Sequence, residues 1–207
     1  MAEAATNRET DQPVAGGEST RQRQLLEAAL GVFLKFGFRK TSMDEVARAA
    51  HVSRQALYLH FSGKEALFRA VVQHALATAL GAAAERLGDP RVPVRERLVG
   101  ALDEWVGRYV GAFGVGGVSD LAEATNTLVL PLIGEQNERF LELLAKFMRT
   151  SGLLAAYRPA GLTARQLAET LNATARGLKY ECTTRQQFVE AASRAVRALC
   201  LPLEARP

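Results

Sequence analysis

Ser53, Arg54, Gln55, Tyr58 and His60 fall within one eight-residue stretch, with Thr41 and Ser42 twelve and eleven residues before it and Lys64 four residues after it. These side chains suit the surface of a nucleic-acid duplex. The fork of an arginine pairs with both acceptors on the major-groove edge of guanine, and a glutamine amide brackets adenine. Small hydroxyls, a tyrosine and a lysine are contacts for phosphate. Thr41 and Ser42 also precede a run that starts a helix, where free N–H groups favour an anion. Lys64 opens another helix, the wrong end for a cation, and a neighbouring phosphate would account for it.

The elements that must hold these residues follow from hydrophobic spacing. Leu25, Ala28, Ala29, Val32, Phe33 and Phe36 recur at steps of three and four, so a first helix is expected from about Thr20 to Phe36, closed by Gly37. Ser42 followed by Glu45 fits a capping box for a second helix that turns Val46, Ala47 and Ala50 inward. His51-Val52-Ser53 reads as a short turn. A brief third helix spans about Arg54 to His60, with Ala56, Leu57 and Phe61 toward the core, and Ser62-Gly63 ends it. A long fourth helix covers about Lys64 to Leu87. Two short helices on a tight turn, braced by a longer one, make a helix-turn-helix over 42–61.

The rest of the chain repeats the helical pattern. Expected helices run about Val94–Phe113, Ser119–Leu128, Pro131–Thr150, Thr163–Glu181 and Thr184–Cys200, for nine in all. The fold class is therefore all-α: a small bundle over 19–79, joined through the long fourth helix to a larger one over 80–207. Residues 1–18, with Gly16-Gly17, Pro13 and few apolar side chains, are expected to be disordered.

Charge and composition narrow the classes. Residues 19–75 carry nine basic and four acidic side chains, while 1–18 carry one and four, so the first compact segment is the basic one. Apolar residues at 48% and charged residues at 23% exclude wholesale disorder. The longest uncharged run, Ala70 to Ala84, holds 15 residues, short of the roughly 20 that span a bilayer. No apolar leader follows Met1. Cys182 and Cys200 cannot build a disulfide framework, and a cytoplasmic protein with structural thiols is the expectation.

The stretch RQLLEAALGVFLKFGFRKTSMDEVARAAHVSRQALYLHFSGKEALFRAVV resembles the DNA-binding domain of the tetracycline-repressor (TetR) family. The resemblance rests on Ala28-Ala29 and Phe33, the Gly37-Phe38 break, Thr41-Ser42, Val46-Ala47, Val52-Ser53, Leu57-Tyr58, His60-Phe61, and Lys64-Glu65 with Leu67. It covers about a quarter of the chain. His51 departs from it, because the family usually has a small residue such as glycine there, and some backbone strain is expected. The resemblance implies a homodimeric repressor. It places Tyr58, Lys64, Thr41 and Ser42 on phosphates, and Arg54, Gln55 and Ala56 toward bases. It also implies a small ligand in the larger domain, whose binding moves the fourth helix and spreads the two recognition helices away from a pseudo-palindromic operator.

In the larger half, Trp105, Tyr109 and Phe113 form an aromatic stripe that could line a pocket for an apolar or aromatic effector, or could be ordinary core. Phe147, Met148 and Asn126 are further lining candidates. Two amphipathic helices, with Leu167, Leu171, Ala175 and Leu178 on one and Phe188, Ala192, Ala195 and Leu199 on the other, suit a dimer interface. Their alternative is packing inside one chain. The three histidines have no metal-ligand spacing, and no Gly-rich phosphate loop or nucleophile elbow occurs, so neither a metal, a cofactor nor catalysis is expected. Two alternatives stand beside the repressor: an enzyme built on the helical pocket, and a DNA-binding regulator that answers to no ligand.

Overall fold

The computed structural model describes residues 15–111 and 117–204, and the side chains within them except at 15–19, 117–120 and 204. The described residues form ten α-helices and no strands. They are α1 (Ala15–Lys40), α2 (Met43–Ala49), α3 (Arg54–His60), α4 (Lys64–Gly88), α5 (Val94–Trp105), α6 (Gly117–Leu128), α7 (Leu130–Thr150), α8 (Leu153–Tyr157), α9 (Ala164–Glu181) and α10 (Arg185–Glu204). The all-α expectation holds, with α8 the helix beyond the expected nine.

Boundaries differ where backbone physics overrides the apolar pattern. α1 starts at Ala15, inside the stretch expected to be disordered, because adding a turn to an existing helix costs far less than nucleating one. Residues 1–14 lie outside the described residues. Gly37, at φ +81°, interrupts α1 as expected, and a last turn continues to Lys40. Phe36, expected inward, is 40% exposed beneath the Lys35 ammonium, 5.0 Å from its ring centre. α5 stops at Trp105 and tightens into a 3₁₀ turn over Gly107–Tyr109. At this turn the backbone lies close against Phe188 of α10: a Cβ on Gly107 would lie 2.4 Å from Asp103 Oδ1 and 2.6 Å from the Phe188 ring.

Two apolar cores result. The first joins α1, α2, α3 and the start of α4 through Phe33, Val46, Leu57, Leu67 and Phe68. The second joins α5, α7, α9, α10 and the end of α4 through Leu98, Phe140, Leu144, Leu171 and Phe188. α4 is apolar along its length because it serves both: Leu67, Phe68 and Val71 enter the first core, and Ala79, Ala83 and Leu87 the second. It is also the one helix among the described residues long and apolar enough to cross a membrane by length and composition. α6 belongs by sequence to the larger half and by packing to the smaller. Leu121 and Ala124 sit in the first core, Arg39 pairs with Glu123 at 2.7 Å, and Arg69 donates to the Leu128 carbonyl.

Candidate nucleic-acid interface

The helix-turn-helix is assembled by local hydrogen bonds. Ser42 caps α2 by accepting from the Glu45 N–H at 3.2 Å, while the Glu45 carboxylate accepts the Ser42 N–H at 2.8 Å. These bonds hold the Glu45 carboxyl below the usual glutamate range. α2 ends in a Schellman arrangement: the Val52 N–H reaches the Ala47 carbonyl at 3.0 Å, and the His51 N–H reaches Arg48 at 3.2 Å. His51 itself lies at φ +54°, the only positive φ among described residues other than glycine. The strain expected at this position is therefore present. Ser53 then caps α3 by accepting from the Ala56 N–H at 3.0 Å.

α3 is anchored by one side chain. Leu57 is 0% exposed, whereas Arg54, Gln55, Tyr58, Leu59 and His60 all face outward. The Arg54 guanidinium stands 5.5 Å over the Tyr58 ring and donates to Asp44 Oδ2 at 3.0 Å. Both partners of that pair are exposed, so it contributes little and is easily exchanged for a base or phosphate. The Gln55 amide makes no hydrogen bond among the described residues. α3 thus presents a guanidinium, an amide, a phenol and an imidazole on one outward surface of a basic bundle.

Residues 25–71 match the family model for bacterial regulatory proteins of the tetR family. The match covers under a quarter of the chain, the same stretch that carries the helix-turn-helix. It is 45% identical over 65 residues to the HTH-type transcriptional regulator SrpR of Pseudomonas putida, an overlap of 30% of this chain and 30% of SrpR. The chain therefore spans under a third of that curated relative. Solved structures extend the likeness in fold to nearly the whole chain. A TetR-like transcriptional regulator from Rhodococcus sp. RHA1 superposes with a TM-score of 0.57 at 26% identity, over 91% of this chain and 98% of that one. A cysteine-substituted CifR, a TetR-family regulator solved with a 26-bp double-stranded operator, gives 0.62 at 22%, over 94% and 99%.

Within the matched segment, the expected contact residues divide. Ser53, Arg54, Gln55, Tyr58 and His60 come together on the outward side of α3, and Ala56 is half-buried beneath them. Thr41 is a correction. It is 2% exposed, and its hydroxyl donates to the Gly37 carbonyl at 2.6 Å, so its side chain serves the end of α1 and cannot reach a phosphate. Ser42 is exposed, but the Glu45 carboxylate already occupies the anion position at the start of α2. Lys64 donates to the Arg39 carbonyl at 3.2 Å and stands 4.6 Å over the Phe38 ring, so no phosphate is needed to explain a cation there. Leu59, 80% exposed beside Tyr58, is a surface residue that the polar pattern passed over.

The expected effector and dimer residues also separate. Trp105 stacks on Phe140 with ring centres 4.7 Å apart, and Phe147 and Met148 are buried with them, so these side chains fill the second core. Tyr109 is half-buried with its hydroxyl 3.4 Å from the Ala75 carbonyl, and burial pushes its pKa up. Asn126 is exposed on α6, a correction: the apolar residues around it serve the first core from the other side of the helix. Phe113 lies outside the described residues. Leu167, Leu171, Ala175, Phe188 and Ala192 are buried in their own chain's core, with Leu178 and Leu199 packed against it and Ala195 half-buried. The five buried side chains are corrected as a dimer face, because they turn inward, whereas Leu178, Ala195 and Leu199 remain partly exposed. The outward side of α9 carries Thr170, Ala173, Thr174 and Gly177 instead.

Proposed function

We propose that this protein is a sequence-specific DNA-binding transcription regulator. It acts in the cytoplasm as a homodimeric repressor of a pseudo-palindromic operator, and a small apolar or aromatic effector releases it. The observation that carries the reading is the outward surface of α3, where Arg54, Gln55 and Tyr58 are positioned by caps and a single core anchor, and where the one ion pair they make, Arg54 with Asp44, is exposed. Ser53 and His60 flank them as phosphate contacts, and Ser42 and Lys64 join them when they exchange the Glu45 carboxylate and the Arg39 carbonyl for a phosphate. The relatives are named as regulators, and the reading is of a binding protein and not an enzyme.

A second copy seats on the outward side of α9 and α10, where small residues on α9 allow close approach and Leu201 is half-exposed. Two copies related by a two-fold axis then present two α3 helices to half-sites about 34–36 Å apart, or a multiple. The effector enters the second core near Trp105, Tyr109, Phe147 and Met148, and α4 carries the change to the first core. Such release requires that the effector bind the spread state more tightly than the DNA-competent one.

Titration of the protein with the duplex upstream of its own gene, at two salt concentrations and beside a random duplex, tests this. Specific binding that weakens steeply with salt is expected. Arg54→Ala should cost about tenfold or more, the worth of one bidentate base contact. Equal affinity for both duplexes, or no binding by effector-free protein, overturns the reading.

A further inference from the structure

Leu59 is the most exposed leucine among the described residues, at 80%. A lone exposed leucine is ordinary. Its place is not. α3 turns by about 100° per residue, so Leu59 lies about 200° from the buried Leu57, facing straight away from the core. Gln55 lies one turn earlier on that same ridge, and side chains four apart on a helix are neighbours about 5–6 Å apart. An isobutyl group and an amide therefore stand side by side at the crest of the recognition surface, flanked by Tyr58 and Arg54.

We infer that Leu59 is a specificity-determining residue that reads the C5-methyl group of a thymine in each half-site. The inference rests on the DNA-binding reading given above. In the major groove, thymine alone presents a methyl group, beside its O4 acceptor, while adenine, guanine and cytosine present their donors and acceptors with no such apolar projection. A leucine against those edges would strip water from a polar group and return no hydrogen bond. Against the methyl it removes apolar surface from water on both sides. The Gln55 amide beside it brackets an adenine, so the thymine belongs to the same A·T pair or to the adjacent one. The pair of side chains reads an A·T step with one polar and one apolar contact.

The test uses the full-length chain and the duplex it enriches from a randomised pool. Each thymine in a half-site is replaced in turn by deoxyuridine, which removes only the methyl. For the wild type, one thymine in each half-site should cost about fourfold in affinity when replaced, the worth of one buried methyl. For Leu59→Ala, the same replacement should cost nothing, and thermal unfolding should be unchanged because the side chain is exposed. The inference is overturned if no replacement weakens the wild type, if Leu59→Ala keeps the full loss, or if the enriched half-sites contain no thymine. Enrichment that depends on Arg54 but ignores deoxyuridine removes Leu59 alone. Failure to enrich any duplex removes the DNA-binding reading as well.

Discussion

α3 and α9 both begin at a hydroxyl cap, and both carry one apolar and one polar side, yet their sequences report different things. α3 has seven residues and buries only Leu57 fully. α9 has eighteen and buries Ala164, Leu167, Ala168, Leu171, Asn172 and Ala175. A seven-residue helix is far too short to hold itself together in water. Its caps, its one anchor and its neighbours hold it, which leaves the other positions free for recognition chemistry. The residues of α9 are chosen mostly by the core they fill. An exposed Gln or Arg on α3 therefore points to a ligand, while a buried Leu on α9 points only to packing.

The sharpest way to break this comparison is to remove the anchor. Leu57→Ala should cost about 3 kcal/mol, as expected for a fully buried leucine. Trp105, the only tryptophan, lies in the second core and reports on it by fluorescence. α4 runs through both cores, and α6 ties the second half to the first. The tryptophan transition in urea should therefore shift together with the helical signal. A tryptophan transition that stays in place while half of the helical signal is lost early would show two independent bundles.

A smaller loss is expected on the α10 side of the comparison. A Cβ on Gly107 would meet the Asp103 carboxylate, which is held by two hydrogen bonds from Arg185, and the ring of Phe188, which is fully buried. The carboxylate could turn only by giving up its bonds from Arg185, and the buried ring has core on every side. Gly107→Ala should destabilise by about 2 kcal/mol, the usual cost of overpacking a filled core. DNA affinity should be unchanged at temperatures where the protein stays folded, since α3 is anchored in the other core. Wild-type stability in this variant would mean that α5 and α10 slide apart easily, as a core that admits an effector must.

The uneven legibility of the sequence has the same physical origin. The helix-turn-helix could be read because its signals are local: Ser42 with Glu45, Gly37, and apolar residues three and four apart. The outward side chains of α3 could be read because they have no packing role to disguise them. Thr41 could not be placed, since a threonine hydroxyl serves equally as a contact or as a donor to the carbonyl four residues back, and here it does the latter. The docking of α6 on α1 depends on partners more than eighty residues apart, such as Arg39 and Glu123, which no periodicity encodes. The apolar stripes of α9 and α10 fit a dimer face or packing inside one chain, and periodicity does not separate the two, because an apolar stripe marks whichever side packs first. The aromatic stripe of α5 has the same ambiguity, because Trp105 and Phe140 satisfy one another without any ligand.

The cap of α2 gives a smaller effect with a pH signature. Ser42→Ala should cost about 1 kcal/mol at neutral pH. Glu45 shares that cap, and its folded carboxyl titrates below the ordinary glutamate value of about 4.3. A carboxyl lowered in this way stabilises the fold above its unfolded pKa, and the contribution is lost as pH falls through the folded pKa. The difference between wild type and Ser42→Ala should therefore be constant from pH 7 to about 5 and shrink below about pH 4. A difference that does not change with pH would show that the Ser42 hydroxyl takes no part in lowering the Glu45 carboxyl, whose bond from the main-chain N–H of residue 42 the variant keeps. DNA affinity separates the roles of Ser42 further: loss of affinity beyond the loss of stability would mean that its hydroxyl leaves the cap for a phosphate.

The smallest effect lies in the turn between α2 and α3. His51 holds a left-handed backbone that costs a residue with a side chain about 1–2 kcal/mol. Glycine adopts it freely but loses more chain entropy on folding, which offsets part of the gain. His51→Gly should therefore stabilise the protein by about 0.5 kcal/mol, or about 1–2 °C in Tm for a chain of this size. The two hydrogen bonds that set the turn come from the backbone of His51 and Val52 and survive the change, so the angle of α3 is kept. Operator affinity should then be unchanged within twofold. Greater stability with weaker binding would instead show that the exposed imidazole is itself a contact, and that the strained backbone is retained in order to place it on the duplex.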